Sequence, residues 1–267
     1  MKKIVFLSFT LLSLYASAQD IKLEVGKTFK STTTMESTTE FMGQESSSNI
    51  KSISTIKINA LEKNSYKATS SSSSLVLGGN LMGQDLTFDS NKKEDAGSEM
   101  GKIMSNSASK TYDLEIDNKT GDIKDITPEK AEKDQNDAIA EMIMGGMKFN
   151  TNLFLPLVKG KKLGDKWSDS TTIEGMKNVT NYEVTIVNGN TITIATSGTL
   201  AGTGTKDLGG QSMEVTTDTK KTGSIVVDSN TFVIKQISSV AESNNNIEAG
   251  GRTITTTSKV KITTLVD

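Results

Sequence analysis

Residues 114–126 read LEIDNKTGDIKDI, and residues 225–237 read IVVDSNTFVIKQI. Alone, the first stretch suits either an acidic cation loop or the turn of a β-hairpin, with Asp117, Asn118, Asp122 and Asp125 set around Gly121. The second stretch decides between them. It keeps the first acid, as Asp228, and the flanking aliphatic residues. It has Phe232-Val233 in place of Gly121-Asp122, and Gln236 in place of Asp125. What persists is strand, polar turn, strand. Asp and Asn favour turns because their side chains bond nearby backbone N–H groups. A calcium loop needs acids at alternate positions and a distal Glu, which this spacing does not supply. The expectation is a hairpin.

Two further pairs of segments match in the same order. Val25-Gly26-Lys27-Thr28-Phe29-Lys30 resembles Leu163-Gly164-Asp165-Lys166-Trp167-Ser168, with Gly after an aliphatic residue and an aromatic three positions on. Leu77-Gly78-Gly79-Asn80-Leu81-Met82 resembles Leu208-Gly209-Gly210-Gln211-Ser212-Met213. Three collinear matches point to an internal duplication. The expected halves are residues 19–127 and 149–267, forming one domain.

The rest of the chain carries strand patterns. Tyr182, Val184 and Ile186 alternate, as do Ile56, Ile58 and Ala60, Ile192 and Ile194, and Val260, Ile262 and Val266. Met42-Gly43-Gln44 is expected to turn a long hairpin of 27–41 against 45–60, with Phe29, Met35 and Phe41 on one parity. Ser70 to Ser74 reads as a solvated strand segment. Residues 90–109 read as a mobile loop with one short helical turn, and 201–211 as a second flexible loop. Ser and Thr make up 66 of 267 residues, and they cover a solvated sheet face without adding charge. The expected fold is mainly β: an antiparallel, long-stranded curved sheet or half-barrel of two related halves with one central helix.

That helix is placed at 128–148. Thr127 caps it, Pro128 takes the first position, and acids fill the first turn. Ile139, Met142, Ile143, Gly146 and Met147 form a stripe. Such a helix covers the concave face of a sheet or walls an apolar pocket, since flexible thioethers adapt to irregular ligands. The candidate pocket lining is Ile139, Met142, Ile143 and Met147 with Met82 and Met213. Met100 and Met104 are further candidates.

Residues 1–18 have a signal-peptide pattern: Lys2 and Lys3, an apolar run from Ile4 to Leu14, then Ala16-Ser17-Ala18. Cleavage there leaves 28 basic residues against 32 acidic ones, a net charge of −4. A mildly acidic chain without a basic cluster argues against nucleic acid and anionic membrane surfaces. No later window has the ~18 apolar residues of a membrane helix. With no Cys there is no lipoprotein attachment site. The expectation is an exported protein, periplasmic or extracellular, that is not a lipoprotein and has no transmembrane segment after cleavage.

The chain has no His and no Cys. That removes the Ser-His-Asp triad, thiol catalysis, and the usual zinc and thiolate metal ligands. The Ser-x-x-Lys matches, such as Ser48/Lys51, Ser54/Lys57, Ser90/Lys93 and Ser107/Lys110, are uninformative in so Ser-rich a chain, and strand geometry sets residues three apart on opposite faces. The acid pairs Glu94-Asp95, Asp134/Asp137 and Asp165/Asp169 have no aromatic cluster beside them for sugar stacking except Trp167, which reads as a core aromatic matching Phe29. No phosphate loop is present, because Gly202-Thr203-Gly204 precedes no helical pattern. No cofactor is expected.

The opening aliphatic-Gly-Lys-x-aromatic strand, the mid-chain helix, and Phe154-Leu155-Pro156 before Leu163-Gly164-Asp165-Lys166-Trp167 together resemble a family of exported bacterial proteins of unknown function. The resemblance covers nearly the whole mature chain. It implies a β-rich envelope protein and brings no catalytic residues. Long polar strands around one helix are also similar, in architecture only, to the half-barrels of periplasmic lipoprotein and lipid carriers. The expected function is non-enzymatic: holding a lipid or other apolar ligand in the concavity of the sheet. The alternatives are a structural or adhesive module presenting Ser/Thr-rich faces to envelope proteins or glycans, and a carboxylate-dependent hydrolase.

Overall fold

The computed structural model describes residues 21–81, 83–108, 111–127, 153–155, 158–173, 175–208, 211–249 and 252–267. The expected central helix, with Ile139, Met142, Ile143 and Met147, lies outside the described residues, as does Met82. The described chain is mainly β, and a single antiparallel sheet holds all twelve strands. The strands are β1 Thr28–Phe41, β2 Gln44–Leu61, β3 Ser65–Leu81, β4 Gln84–Asp89, β5 Thr111–Asp117, β6 Ile123–Asp125, β7 Lys166–Ile173, β8 Met176–Asn188, β9 Thr191–Leu208, β10 Gln211–Asp228, β11 Ile234–Ala249 and β12 Arg252–Val266. Their order is β6-β5-β3-β2-β1-β12-β11-β10-β9-β8-β7, with β4 also paired to β3. The sheet is open, because β6 and β7 lie at opposite ends of this order. The strands contributed before residue 128 and after residue 152 thus share one continuous sheet.

The β1–β2 hairpin turns at Met42 and Gly43, with φ of 52° and 77°, and pairs Phe41 with Gln44. Two positive φ values give the type I′ turn that matches strand twist. The opening stretch is a hairpin of β5 and β6. Asp117 Oδ1 accepts the backbone N–H of Lys119 and of Thr120, each at 2.8 Å. Its carboxyl is held below the ordinary aspartate range by these bonds, that from Thr120 first. The later stretch repeats the arrangement. Asp228 Oδ1 accepts from Asn230 N at 3.0 Å and Thr231 N at 2.9 Å. Gly121 N donates to Asp117 O, as Phe232 N does to Asp228 O. Gly121 has φ 73° and Phe232 φ 59°. Such a φ suits Gly and is costly for Phe. Phe232 is buried in the core, which offsets that cost.

A second set of bonds recurs. Gly26 N donates to Ile58 O and Ile58 N to Lys27 O; Gly164 N donates to Val184 O and Val184 N to Asp165 O. Just past each of these partners the register slips, between Ile58 and Ala60 and between Val184 and Ile186. These bulges correct the sequence alternation. Ile58 and Val184 are buried, but Ala60 is exposed and Ile186 is 55% exposed, because one extra residue reverses which face the strand presents. A bulge in β3 opposite Ile53 and Ser54 likewise shifts the buried parity from Tyr66, Ala68 and Ser70 to Leu75 and Leu77.

One sheet face is the core face. Its larger cluster holds Phe29, Ile56, Ile58, Tyr66, Leu114, Ile116, Val184, Ile192, Ile194 and Val227, covered by Ile21 and by Leu153, Phe154 and Val158. Phe154 meets the Phe29 ring edge-on at 6.2 Å between centroids. Leu153 O accepts from Ile234 N, and Leu155 N donates to Phe232 O. This end of the strands is called proximal below, and the β1–β2 turn end distal. The opposite face carries Thr and Ser with cross-strand ion pairs such as Lys259–Glu242 at 2.9 Å and Lys261–Glu36 at 3.4 Å.

Two expected loops are regular structure. Residues 90–109 contain helices α1 Lys93–Ala96 and α2 Glu99–Ala108. Met100, Ile103 and Met104 fall at helical spacing amid polar neighbours, and α2 packs them on Met35, Ile50, Leu75, Leu77 and Phe88. Residues 201–208 and 211 continue β9 and β10, in unbroken register from Leu208↔Gln211 to Thr191↔Asp228. Gly78 and Gly79 lie inside β3, opposite Thr87 and Leu86, and Gly209 and Gly210 lie outside the described residues.

Candidate functional site on the core face of the second half

β10 carries Val215, Thr217, Thr219, Lys221, Ile225 and Val227 towards the core face and Glu214, Thr216, Asp218 and Lys220 away from it. The first three are buried and Lys221 is half-buried. A lysine on this face is costly, because burial disfavours the ammonium form. Burial alone moves the Lys221 pKa below the ordinary lysine value. Lys221 is paired with Gly198 of β9 and Ala241 of β11. These small neighbours leave room for its arm, which crosses β9 to reach β8. There the ammonium donates to Asn178 Oδ1. Gly198 is required by close strand approach, since a β-carbon there would lie 2.2 Å from the carbonyl oxygen of Val179.

The ammonium borders a cleft of about 150 Å³, lined by Thr180, Tyr182, Thr196, Ile225, Ile237 and Ser239 among others. At one side Tyr182 stacks on Trp167, 5.1 Å between centroids and 9° from parallel. The Lys161 ammonium sits over the Trp167 ring at 4.9 Å. Trp167 already has two partners, so it packs as Phe29 does in the first half, where Lys27 lies 5.1 Å over the ring. Burial raises the Tyr182 pKa, and the nearby Asp169 carboxylate adds to it.

Distally the core face turns apolar again. Val215, Ile247 and Ile254 lie side by side across β10, β11 and β12. Met213, the one residue of the six-residue pocket lining that is described, is half-buried two residues from Val215. Met100 and Met104 are elsewhere, packed under α2 on the first half. The candidates Met213 and Met104 are therefore not brought together. Sequence reasoning missed Lys221. The signal was present in the parity of Val215, Thr217 and Thr219, which places Lys221 and not Lys220 on the core face.

No protein-family model matches the chain, and no curated protein is similar to it. Solved structures similar at a distance include the following three. One is a lipovitellin structure concerned with lipid–protein interactions, at 11% identity and TM-score 0.45; it covers 92% of this chain, which spans only 25% of the lipovitellin chain. The second is OpdQ of Pseudomonas aeruginosa, at 7% identity and TM-score 0.25 over 90% of this chain and 98% of its own. The third is an outer membrane channel from Pseudomonas putida F1, at 9% identity and TM-score 0.25 over 93% and 98%. These likenesses are too distant to assign a role to the sheet. No helix among the described residues is long and apolar enough to cross a membrane.

Proposed function

We propose that this is an exported, non-catalytic envelope protein that holds a lipid or other apolar ligand against the core face of its sheet, in the second half. The observation that carries the reading is the difference in cover. On the first half, α2 lays Met100, Ile103 and Met104 over the distal part of the core face. On the second half the distal row of Val215, Ile247 and Ile254 has no such helix among the described residues. The recurring turns at Asp117 and Asp228, and the recurring bonds at Ile58 and Val184, support a chain built by duplication in which one copy was fitted with a cover. The signal-peptide pattern supports export.

Native mass spectrometry of protein purified without detergent tests this reading. The expected spectrum contains a bound amphiphile, and an apolar dye displaces it with a rise in fluorescence. A bare polypeptide mass, with no dye uptake at micromolar protein, contradicts it.

A further inference from the structure

Lys221 is the feature that holding an apolar ligand does not explain. It lies on the core face between Gly198 and Ala241, six residues along β10 from the apolar row at Val215. At about 3.4 Å per residue that is ~20 Å. Among the described residues no carboxylate lies within ion-pair distance of its ammonium. Its partner is the neutral Asn178 carbonyl, and an ammonium has three N–H donors, so two remain open to solvent or to a ligand. The lysines of the second-half strands that form ion pairs among the described residues, Lys166, Lys259 and Lys261, meet glutamates. Thr196 and Ser239 also border the cleft, whose wall is otherwise largely apolar.

The size of the space limits what enters. About 150 Å³ is well below the roughly 300–1,000 Å³ of sites that enclose a whole organic ligand. At about 30 Å³ per water it equals roughly five waters, which suits a head group. Ile225 and Ile237 close one side with apolar surface, which strengthens a charge-assisted bond made there.

We infer that the Lys221 cleft is an oxyanion site, which takes the carboxylate or phosphate of its ligand at the ammonium, beside Thr196 and Ser239. The site deepens the reading above, because it makes the ligand of this face an anionic amphiphile and gives it a fixed orientation. Occupation of the site adds the counter-charge that the half-buried cation lacks. The same chemistry would also take a free anion, and the two sources separate by experiment.

The test is calorimetric titration of the mature chain with dodecanoate, dodecanol, acetate and inorganic phosphate. It is repeated on Lys221→Met and on Lys220→Met, whose lysine points to the opposite face. Thermal melts verify that both variants fold. Dodecanoate is expected to bind at least about tenfold more tightly than dodecanol, and Lys221→Met to erase that difference while Lys220→Met keeps it; tenfold corresponds to about 1.4 kcal/mol. Should Lys221→Met fail to fold, Asn178→Asp serves: it gives the ammonium a carboxylate of its own and is expected to weaken dodecanoate selectively. Binding of acetate or phosphate as tight as that of dodecanoate, lost in Lys221→Met, upholds the oxyanion site and assigns it a free anion, while the apolar-ligand reading fails. Equal affinity for dodecanoate and dodecanol, unchanged in Lys221→Met, overturns the oxyanion site and leaves the apolar-ligand reading standing. If none of the four probes binds, both fall.

Discussion

The two halves of the sheet begin alike and end differently. At the proximal end the same backbone bonds recur around Ile58 and Val184, and the same turn recurs at Asp117 and Asp228. At the distal end they part. In the second half β9 and β10 form one long hairpin of eighteen residues each. In the first half β3 meets two partners in succession, β5 over Ser65–Ser71 and β4 over Val76–Leu81. The chain between β4 and β5 forms α1 and α2, and α2 seals that part of the core face. The interruption in the first hairpin supplies a lid made of the chain itself, and among the described residues no helix covers the uninterrupted one.

The largest expected effects test the likeness. Ile58 and Val184 are both essentially fully buried at matching bulges. Ile58→Ala should cost about 2–5 kcal/mol in urea unfolding. Val184→Ala should cost about 0.8 kcal/mol less, for one methylene fewer. A loss at one position with none at the other would break the comparison.

Met104 tests the difference. It is fully buried under α2, and Met104→Ala should cost about 2–5 kcal/mol. Hydrogen exchange should then quicken in α2, β3 and β4 and stay unchanged in β9 and β10. Spread of the change to β10 would mean that the two distal ends are not independent.

Smaller effects come from the turns. Asp117→Ala and Asp228→Ala each remove a carboxylate that accepts two backbone N–H groups, and each should cost about 0.5–2 kcal/mol, as helix-cap losses do. Asp228 should be the costlier of the two, since it also accepts the Thr231 hydroxyl at 3.0 Å. Thermal melts of both variants measure this.

The smallest effect is the acid dependence of the same pair. Backbone bonds hold the Asp117 carboxyl low, and at Asp228 they outweigh a burial that acts upwards. A carboxyl that is lower in the folded state binds fewer protons there than in the unfolded chain. Its stabilisation is therefore complete above the ordinary aspartate value of about 3.9 and is lost as pH falls through the lowered folded values. The double variant Asp117→Asn/Asp228→Asn should show a flatter fall in Tm below about pH 4 than the parent chain.

Several of the turns were legible in the sequence, because they are made by local chemistry. Met42-Gly43, Asp117 and Asp228 each form their turn with immediate neighbours, so the residues themselves announce it. The bulges were not legible. Nothing in Asn59 or Thr185 signals an extra residue, since the shift is imposed by pairing with a distant strand. The short helix α2 was hidden for a related reason. Three apolar residues among Ser, Asn and Lys do not stand out until the uncovered cluster around Leu77 and Phe88 gives them a surface. Lys221 was legible by parity alone. What parity could not show is that Gly198 and Ala241 flank it and leave Asn178 as its partner.

The central claim is that the core face of the second half, not that of the first, holds the ligand. Photolabelling of the full mature chain with a diazirine-bearing fatty acid, followed by peptide mapping, tests it most directly. The predicted labels fall within β8 to β11 and the start of β12, on residues 176–254, and unlabelled dodecanoate competes them away. Competable labels on α2 or on Leu75 to Phe88 would contradict it.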